Sequence, residues 1–326
     1  MRTTIAGTLT GLISVLLQFS GANAWAQNFP TKPVTMVVST GPGASNDLEA
    51  RMYGQKLSES LGQPFVVDYK PGGGTTLAAI YVSKAAPDGY TLLGMSSSFP
   101  AAAALYRPLP YDPLKDFTPL SIMSKRSTVL IAHPSAPFKT LQEYIAYSRA
   151  NPGKVNVATV GAGSGPHISA AWFHSLTNTQ AIFIHYKSAA AMQSDLLSGR
   201  VDITYASLFT GLPHIKSGKM RLLAIGNAER NPQLPDVPTV AELGVAGYDY
   251  NSMFGFMGPA GMQPAVVSRL STEMARAVKS PEVAKRLESE GGMAVGSTPA
   301  QLAQILAADV PRYRKLVDEL GIKPEE

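Results

Sequence analysis

The sequence predicts an α/β protein with largely parallel sheets and two domains. Apolar, β-branched runs alternate with helical patterns along most of the chain, which is typical of strands joined through helices. The 326 residues exceed the roughly 100–150 residues of the commonest single-core domain. The charges are scattered, so no basic stripe of a nucleic-acid-binding protein is seen, and the absence of cysteine excludes disulfides.

The N-terminus is predicted to be a secretion signal over residues 1–26. Arg2 precedes an apolar stretch at 5–19, and Ala24 and Ala26 fit the small-residue rule of signal peptidases. The apolar stretch is short for a membrane span and is soon followed by polar residues. The mature chain is therefore expected to be exported, soluble and monomeric.

The strands and helices are predicted from apolar spacing. Eight apolar runs are predicted to be strands, at residues 34–39, 65–69, 90–95, 128–133, 154–160, 181–186, 201–206 and 221–226. Helical spacing predicts helices at residues 46–61, at 140–150, from His167 onward, and at 264–279, 281–290 and 298–320. The chain changes character after residues 252–261, so its tail is expected to be helical.

Two glycine-rich loops each lie between a predicted strand and a predicted helix. They are "STGPGASND" (39–47) and "GAGSGPH" (161–167), and both place glycines and a hydroxyl at a helix N-terminus. Backbone N–H groups at such a junction suit an anion, and ligands of α/β sheets bind beyond the carboxyl ends of strands. The alternative is two unrelated turns with N-caps, since Ser, Asn and Asp are preferred caps in any protein. The pair of loops favours a small-molecule site.

Enzyme signatures do not occur in these loops or elsewhere. Neither loop has the Lys and Ser/Thr of a phosphate loop, and the chain has no G-x-S-x-G nucleophile elbow. The five histidines lack a metal-ligand spacing. Neither catalytic residues nor a metal or other cofactor are therefore predicted. His167 is interpreted either as a ligand contact or as a structural hydrogen-bonding group.

Two further positions have competing interpretations. Tyr186 ends a predicted strand and would supply an aromatic third wall of a cleft, whereas Lys187 is either a ligand contact or a solvated charge. The pair Met253 and Phe254 is more typical of a core than of a pocket.

Six stretches together resemble the periplasmic solute receptors of tripartite tricarboxylate transporters, also called the Bug or TctC family. They are "FPTKPVTMVV" (29–38), "AAPDGYTLL" (85–93), "LPYDPLKDF" (109–117), "NPGKVNVA" (151–158), "LPDVPTVAELG" (234–244) and "GPAGMQPAVVSRL" (258–270). Their order and spacing cover the whole mature chain. The resemblance implies a type 2 periplasmic-binding-protein fold, with lobe 1 at 27–125 plus 253–326 and lobe 2 at 126–252. Crossover strands would lie near residues 126–130 and 251–255.

The resemblance also implies which residues bind ligand, because in this family the two loops hold a ligand carboxylate between the lobes. The implied positions are Thr40, Gly43, Ala44, Ser45, Asn46 and Asp47 in the first loop, Gly161, Ala162, Gly163, Ser164, Gly165 and His167 in the second, and Tyr186, Ala206 and Phe254 elsewhere. Several depart from the family pattern: Thr40 replaces an aromatic residue and Ala206 replaces an aspartate.

The expected ligand is a small mono-, di-, tri- or aromatic carboxylate without a free amine. Ala206 removes a negative side chain that would pair with an amine, and an aromatic acid is favoured if Phe254 turns into the cleft beside Tyr186. The expected partners are membrane transporter subunits or, as an alternative, a sensor kinase in a two-component system. An exported hydrolase is the other rival, although no spacing identifies its nucleophile and base.

Overall fold

The computed structural model describes residues 29–42, 45–161, 164–186, 189–289 and 291–319. The predicted signal at 1–26 lies outside these residues, as do the predicted site residues Gly43, Ala44, Ala162 and Gly163, and Lys187.

The described strands and helices alternate as predicted through most of the chain. The strands are β1 (Val34–Val38), β2 (Phe65–Tyr69), β3 (Thr91–Ser96), β4 (Phe117–Ala132), β5 (Asn156–Thr159), β6 (Ile182–His185), β7 (Ile203–Ser207), β8 (Arg221–Ile225), β9 (Asn251–Pro259) and β10 (Gly292–Ala294). The helices are α1 (Ser45–Leu61), α2 (Thr76–Ser83), α3 (Ser98–Leu105), α4 (Leu141–Ala150), α5 (Gly165–Thr177), α6 (Ala189–Leu197), α7 (Leu208–Lys216), α8 (Pro264–Val278), α9 (Pro281–Ser289) and α10 (Pro299–Glu319).

The long strand β4 joins two half-sheets. Its residues 117–127 pair antiparallel with β9, and its residues 128–132 pair antiparallel with β7 and β8. Lobe 1 contains the order β2–β1–β3–β9–β4, in which β1, β2 and β3 run parallel. Lobe 2 contains β4–β7–β5–β6, in which β5 runs parallel to β6 and β7. Parallel strands place their carboxyl ends at the same edge, so the loops after them converge.

Each lobe has its own apolar core, and one helix contributes to both. In lobe 1, Met36, Tyr53 and Phe256 are completely buried between the sheet and α1 and α8. In lobe 2 a ring cluster around Phe173 fills the space between the sheet and α5. The start of α10 packs in lobe 1, whereas its last two turns pack in the core of lobe 2.

The tail after residue 261 is helical as predicted except for β10, which pairs with β4. Strand β9 precedes this tail and is the neighbour of β3 and β4. Apolar spacing did not predict it, although the resemblance implied a crossover strand near residues 251–255. Seven consecutive residues of β9 are buried, so it shows neither the alternation of a one-faced strand nor a β-branched run. The first part of β4 was also missed, because buried serines such as Ser121 and Ser124 interrupt its apolar residues.

Within the parts of the chain that the structure describes, no helix combines the length and the apolar character that crossing a bilayer requires.

Candidate functional site

A cavity of about 240 Å³ lies where loops of the two lobes meet. Lobe 1 lines it from beyond the carboxyl ends of β1, β2 and β3, and lobe 2 lines it from beyond β5. The lining residues with hydroxyls or no side chain are Ser39, Thr40, Gly72, Thr75, Ser98, Tyr106 and Ser164. The remaining lining residues are Ala102, Leu105 and Val160. The cavity thus has the position at which ligands of α/β folds bind.

The first predicted loop leads from β1 into α1. Thr40 lines the cavity, and its Oγ1 is buried with no hydrogen-bond partner among the described residues. Asp47, on the first turn of α1, is only 2% exposed, and its Oδ1 accepts hydrogen bonds from Arg51 Nε at 2.8 Å and Tyr69 Oη at 2.8 Å. Asp47 therefore fixes α1 against the end of β2. The hydrogen bond to Tyr69, and then that to Asp47, raise the pKa of the Arg51 guanidinium.

The structure adds a third loop that the sequence reasoning missed. It follows β2, contains Gly72 to Thr75, and leads into α2. Thr75 has φ 102°, a conformation that costs a non-glycine residue about 1–3 kcal/mol and is concentrated at ligand sites. Its hydroxyl does not cap α2, is buried, and has no partner in the described part of the chain. The signal was present in "PGGGTT" (71–76), where three glycines precede two threonines between a strand and a helix.

The second predicted loop leads from β5 into α5. Gly161 has φ 111°, which only glycine adopts readily, and its carbonyl accepts a hydrogen bond from Ser164 Oγ at 2.8 Å. Ser164 is the N-cap residue of α5, and it lines the cavity. Gly165 opens the helix, and a Cβ there would lie 2.9 Å from Tyr250 Oη. Gly165 thus has no room for a larger side chain, and its N–H is the described backbone donor of this end, because Ser164 N–H already donates to the Gly161 carbonyl and Pro166 has no N–H.

His167 lies behind the second loop and is not among the residues that line the cavity. Its side chain is buried, and its ring makes edge contacts with Phe183 and His185, each at 4.9 Å between ring centres. Burial, and then the nearby His185, lower the pKa of His167 to about 4, so the imidazole is neutral at physiological pH. His185 is held in turn by Thr159 Oγ1, 2.6 Å from its Nδ1.

The other three predicted positions are not brought together at the cavity. Tyr186 donates its hydroxyl to Asp195 Oδ2 at 2.9 Å, and Ala206 is buried within β7 opposite Val129. Phe254, implied by the resemblance as a ligand contact, does not turn into the cleft beside Tyr186, and the interpretation of residues 253–254 as core is confirmed. Phe254 is 1% exposed in the core of lobe 1, because β9 is a central strand covered on both faces.

The electrostatics of the cavity favour an anion bound by neutral donors. No described residue that lines it carries a formal charge. The helices α2, α3 and α5 begin at its edge, at Thr75, Ser98 and Ser164, and the positive ends of their dipoles attract negative charge. Among the described residues, no group of three or more His, Asp or Glu side chains is placed to hold a metal ion.

A family model described as tripartite tricarboxylate transporter family receptor, TctC, matches residues 49–322. The chain belongs to this family. It is 34% identical over 319 residues to protein BugT of Bordetella pertussis, covering 97% of this chain and 98% of BugT.

Two solved structures show the same fold. Rpa4515 of R. palustris with adipate has a TM-score of 0.80 and 33% identity, covering 91% of this chain and 100% of that one. MatC of Rhodopseudomonas palustris with bound malate has a TM-score of 0.77 and 31% identity, covering 89% and 100%. The receptor therefore has the type 2 periplasmic-binding-protein fold, two α/β lobes joined by crossover strands, as predicted. TctC receptors are binding proteins rather than enzymes.

Proposed function

We propose that this receptor captures a small carboxylate in the cavity between its lobes and delivers it, in the periplasm, to the membrane subunits of a tripartite tricarboxylate transporter. The observation that carries the proposal is the pair of buried hydroxyls, Thr40 Oγ1 and Thr75 Oγ1, that line one cavity and have no hydrogen-bond partner among the described residues. A buried polar group without a partner costs about 1–3 kcal/mol, which a ligand oxygen would recover.

The relatives support a carboxylate rather than another anion. Rpa4515 holds adipate and MatC holds malate, and both ligands carry carboxylates. Carboxylate oxygens accept several hydrogen bonds at once, so one group would satisfy the hydroxyls of lobe 1 and the Gly165 N–H of lobe 2. In this proposal Thr40, Gly161, Ser164 and Gly165 form the site, together with the predicted loop residues outside the described part.

The other predicted site residues act indirectly in this proposal. Asp47 positions α1, Tyr186 braces lobe 2 through Asp195, and His167 supports the second loop through its ring contacts. The proposed lobe boundaries are those of the sequence, near residues 126 and 252, because β4 changes its pairing partner after Ser127 and β9 begins at Asn251.

The test is calorimetric titration of the mature protein with a panel of acids and one uncharged amide. The panel contains malate, succinate, adipate, citrate, butyrate, hexanoate, benzoate and glutamate, with nicotinamide as the amide. We expect at least one acid to bind and nicotinamide not to bind. Thr40→Val and Thr75→Val should each weaken that acid about 10-fold or more, because a hydrogen bond to a charged group is worth about 1.5–3 kcal/mol.

The matched control is Thr91→Val, since Thr91 lies at the opposite end of β3 from the cavity. This variant should bind like the wild type. Binding of nicotinamide alone, or full affinity in both Thr40→Val and Thr75→Val, would contradict the proposal. Recovery of nicotinamide and of a methyl ester of that acid unchanged after incubation separates a receptor from a hydrolase of esters or amides. Loss of uptake of the acid in cells lacking this chain tests delivery.

A further inference from the structure

An open groove of about 710 Å³ lies on the surface of lobe 1, outside the ligand cavity. The end of β2 lines one side of it, at Lys70, and α2 lines the other side. Leu77, Tyr81 and Lys84 follow one another at spacings of four and three residues, so they share one face of this helix. The groove therefore has an apolar wall that ends in a lysine.

The groove exists because α2 leaves one face of the edge strand β2 uncovered. β2 is the outer strand of lobe 1. α1 packs on the face of the sheet that carries Met36 of β1, and α2 packs on the opposite face, which carries Val37. Val37 lies beside Asp68 of β2 in the parallel pairing, so Val66 and Asp68 also turn to the α2 side. On that side α2 packs against β1 and β3, and Val66 stays 47% exposed.

The exposed apolar surface here is larger than isolated side chains would give. Leu77 is 50% exposed and Tyr81 is 48% exposed, next to the half-exposed Val66. An apolar patch that is bordered by polar groups marks a surface at which another molecule binds. Burial of these side chains by a partner is favoured by the hydrophobic effect.

The charges at the groove are predominantly positive. Lys70 Nζ lies 4.9 Å from the centre of the Tyr81 ring and 3.0 Å from Asp68 Oδ2, so its charge is partly compensated. Lys84 forms no ion pair with any carboxylate of the described residues. The two lysines thus face a single carboxylate, and the surface is complementary to a partner with acidic side chains.

The groove and the ligand cavity share one loop. Between Lys70 and Leu77 the chain passes through Gly72 and Thr75, which line the ligand cavity. A Cβ at Gly72 would lie 2.8 Å from Leu77 Cδ1, so Leu77 packs directly on the backbone of this loop. A molecule held in the groove is therefore in contact with the segment that reaches the ligand.

We propose that this groove docks the membrane subunits of the transporter through a short acidic segment that also carries an apolar side chain. The apolar side chain lies against Leu77 and Tyr81, and a carboxylate pairs with Lys84. At 1.5 Å per residue the face from Leu77 to Lys84 extends about 10 Å, which matches about three residues of extended chain. Because the loop of Thr75 lies between the two sites, ligand binding and docking influence each other. This inference rests on the proposed function.

The first test measures uptake by spheroplasts of cells that lack this chain, with the purified receptor added back below saturation. The substrate is the radiolabelled acid that the calorimetric panel identifies. Tyr81→Ala and Lys84→Glu should each lower the uptake rate about 5- to 10-fold. Both should bind the acid like the wild type in calorimetry, because neither residue lines the ligand cavity.

Two control variants separate the groove from a general effect of charge. Lys84→Arg keeps the positive charge and should support uptake like the wild type. Lys285→Glu reverses a charge at an exposed position of α9 outside the groove and should also leave uptake unchanged.

The second test measures binding without transport. Labelled receptor is sedimented with membranes of the same cells and, separately, with protein-free liposomes of phosphatidylethanolamine and phosphatidylglycerol. We expect binding to the membranes and not to the liposomes, weakened by added salt and by Tyr81→Ala. Sedimentation velocity of the receptor alone reports any self-association through the groove.

The outcomes distinguish this inference from the proposed function. If Tyr81→Ala and Lys84→Glu support uptake like the wild type, the groove is not the docking surface and the proposed function stands. Equal binding to liposomes would identify a lipid surface as the occupant, and a dimer that Tyr81→Ala dissociates would identify a second copy; either result overturns the inference. Loss of affinity for the acid in both variants would assign the groove to the ligand site and overturns it as well. If the wild-type receptor supports no uptake of an acid that it binds, the proposed function itself fails.

Discussion

The two helices that begin at the cleft, α1 and α5, follow glycine loops of the same design but are held in place by different chemistry. α1 is held by charge. Glu49 Oε2 lies 2.9 Å from Arg126 Nη1 with both side chains buried, Glu49 Oε1 accepts a hydrogen bond from Ser124, and Asp47 pairs with Arg51. Arg126 lies on β4 just before this strand passes into lobe 2, so α1 is tied to the crossover.

The buried polar side chains of α5 are held by neutral groups, and the cations near it, Arg149 and Arg312, contact it at the Thr177 carbonyl and the Trp172 ring. His174 is buried, with its Nε2 2.9 Å from Tyr144 Oη and its Nδ1 2.6 Å from Thr179 Oγ1. Ser169 Oγ lies 2.6 Å from Tyr248 Oη, and His167 packs edge-on to His185.

This difference shows that a loop whose backbone suits an anion does not determine which interactions hold the helix that follows it. The loops need only present N–H groups at a helix N-terminus, and either an ion pair or an aromatic and hydroxyl network can fix the helix behind them. The two supports should respond to different perturbations: the first to loss of a charged partner, the second to protonation.

The largest expected effect is on the ionic support. Glu49→Ala leaves Arg126 buried without this carboxylate, and removal of one partner of a buried pair costs about 3–5 kcal/mol. Urea unfolding should show this loss in the free energy of unfolding. Glu59→Ala is the control, because Glu59 is an exposed residue of the same helix that pairs at the surface, and its loss should be about 0–1 kcal/mol. Equal losses of unfolding free energy in Glu49→Ala and Glu59→Ala would show that the buried ion pair does not hold α1 more strongly than a surface pair does.

The next effect is the pH dependence of the neutral support. Burial lowers the pKa of His174 to about 4, and burial together with His185 lowers that of His167 to about 4, from an ordinary value of 6.5. Between these values the unfolded chain binds more protons than the folded one. The stabilisation is therefore complete above pH 6.5 and is lost as the pH falls to about 4.

At pH 5 each of these histidines should cost about 2 kcal/mol of folding stability relative to pH 7.5. In His174→Gln the difference between the two pH values should shrink by about this amount in urea unfolding. Tyr144→Phe removes a contact of His174 and keeps the imidazole, so it should lose stability similarly at both pH values. An unchanged pH difference in His174→Gln would show that this histidine is not part of a neutral support.

The smallest expected effect is a difference in stability between alanine variants of one glycine in each loop. Gly161 has φ 111°, so Gly161→Ala should cost about 1–2 kcal/mol through backbone strain. Gly41 belongs to the first loop, and a Cβ there would meet no atom within 4 Å. Gly41→Ala should therefore change stability by less than about 0.5 kcal/mol. Thermal unfolding of the two variants measures this difference. Similar shifts in Tm would show that alanine is equally strained in the backbone of both loops.

Local pattern was sufficient for most of the fold. The predicted strands at 34–39, 65–69 and 221–226 match β1, β2 and β8 to within one residue, and the predicted helices at 264–279 and 281–290 match α8 and α9 equally well. β9 and the first part of β4 could not be recognised in this way. Their glycines, serines and buried apolar residues acquire strand structure from pairing with each other, between residues more than 120 positions apart.

The sequence by itself determined the family, the alternation of strands and helices, and the two loops at helix N-termini, because these depend on short-range spacing and on backbone preferences of Gly, Ser and Asp. Only the tertiary structure decided which side chains line the cavity. It buried Phe254 and His167 and paired Tyr186 with Asp195. It also brought Thr75, and Ser98 and Ala102 of α3, to the site. The orientation of a side chain toward a cleft depends on how distant segments pack, and periodicity within one segment carries no information about that packing.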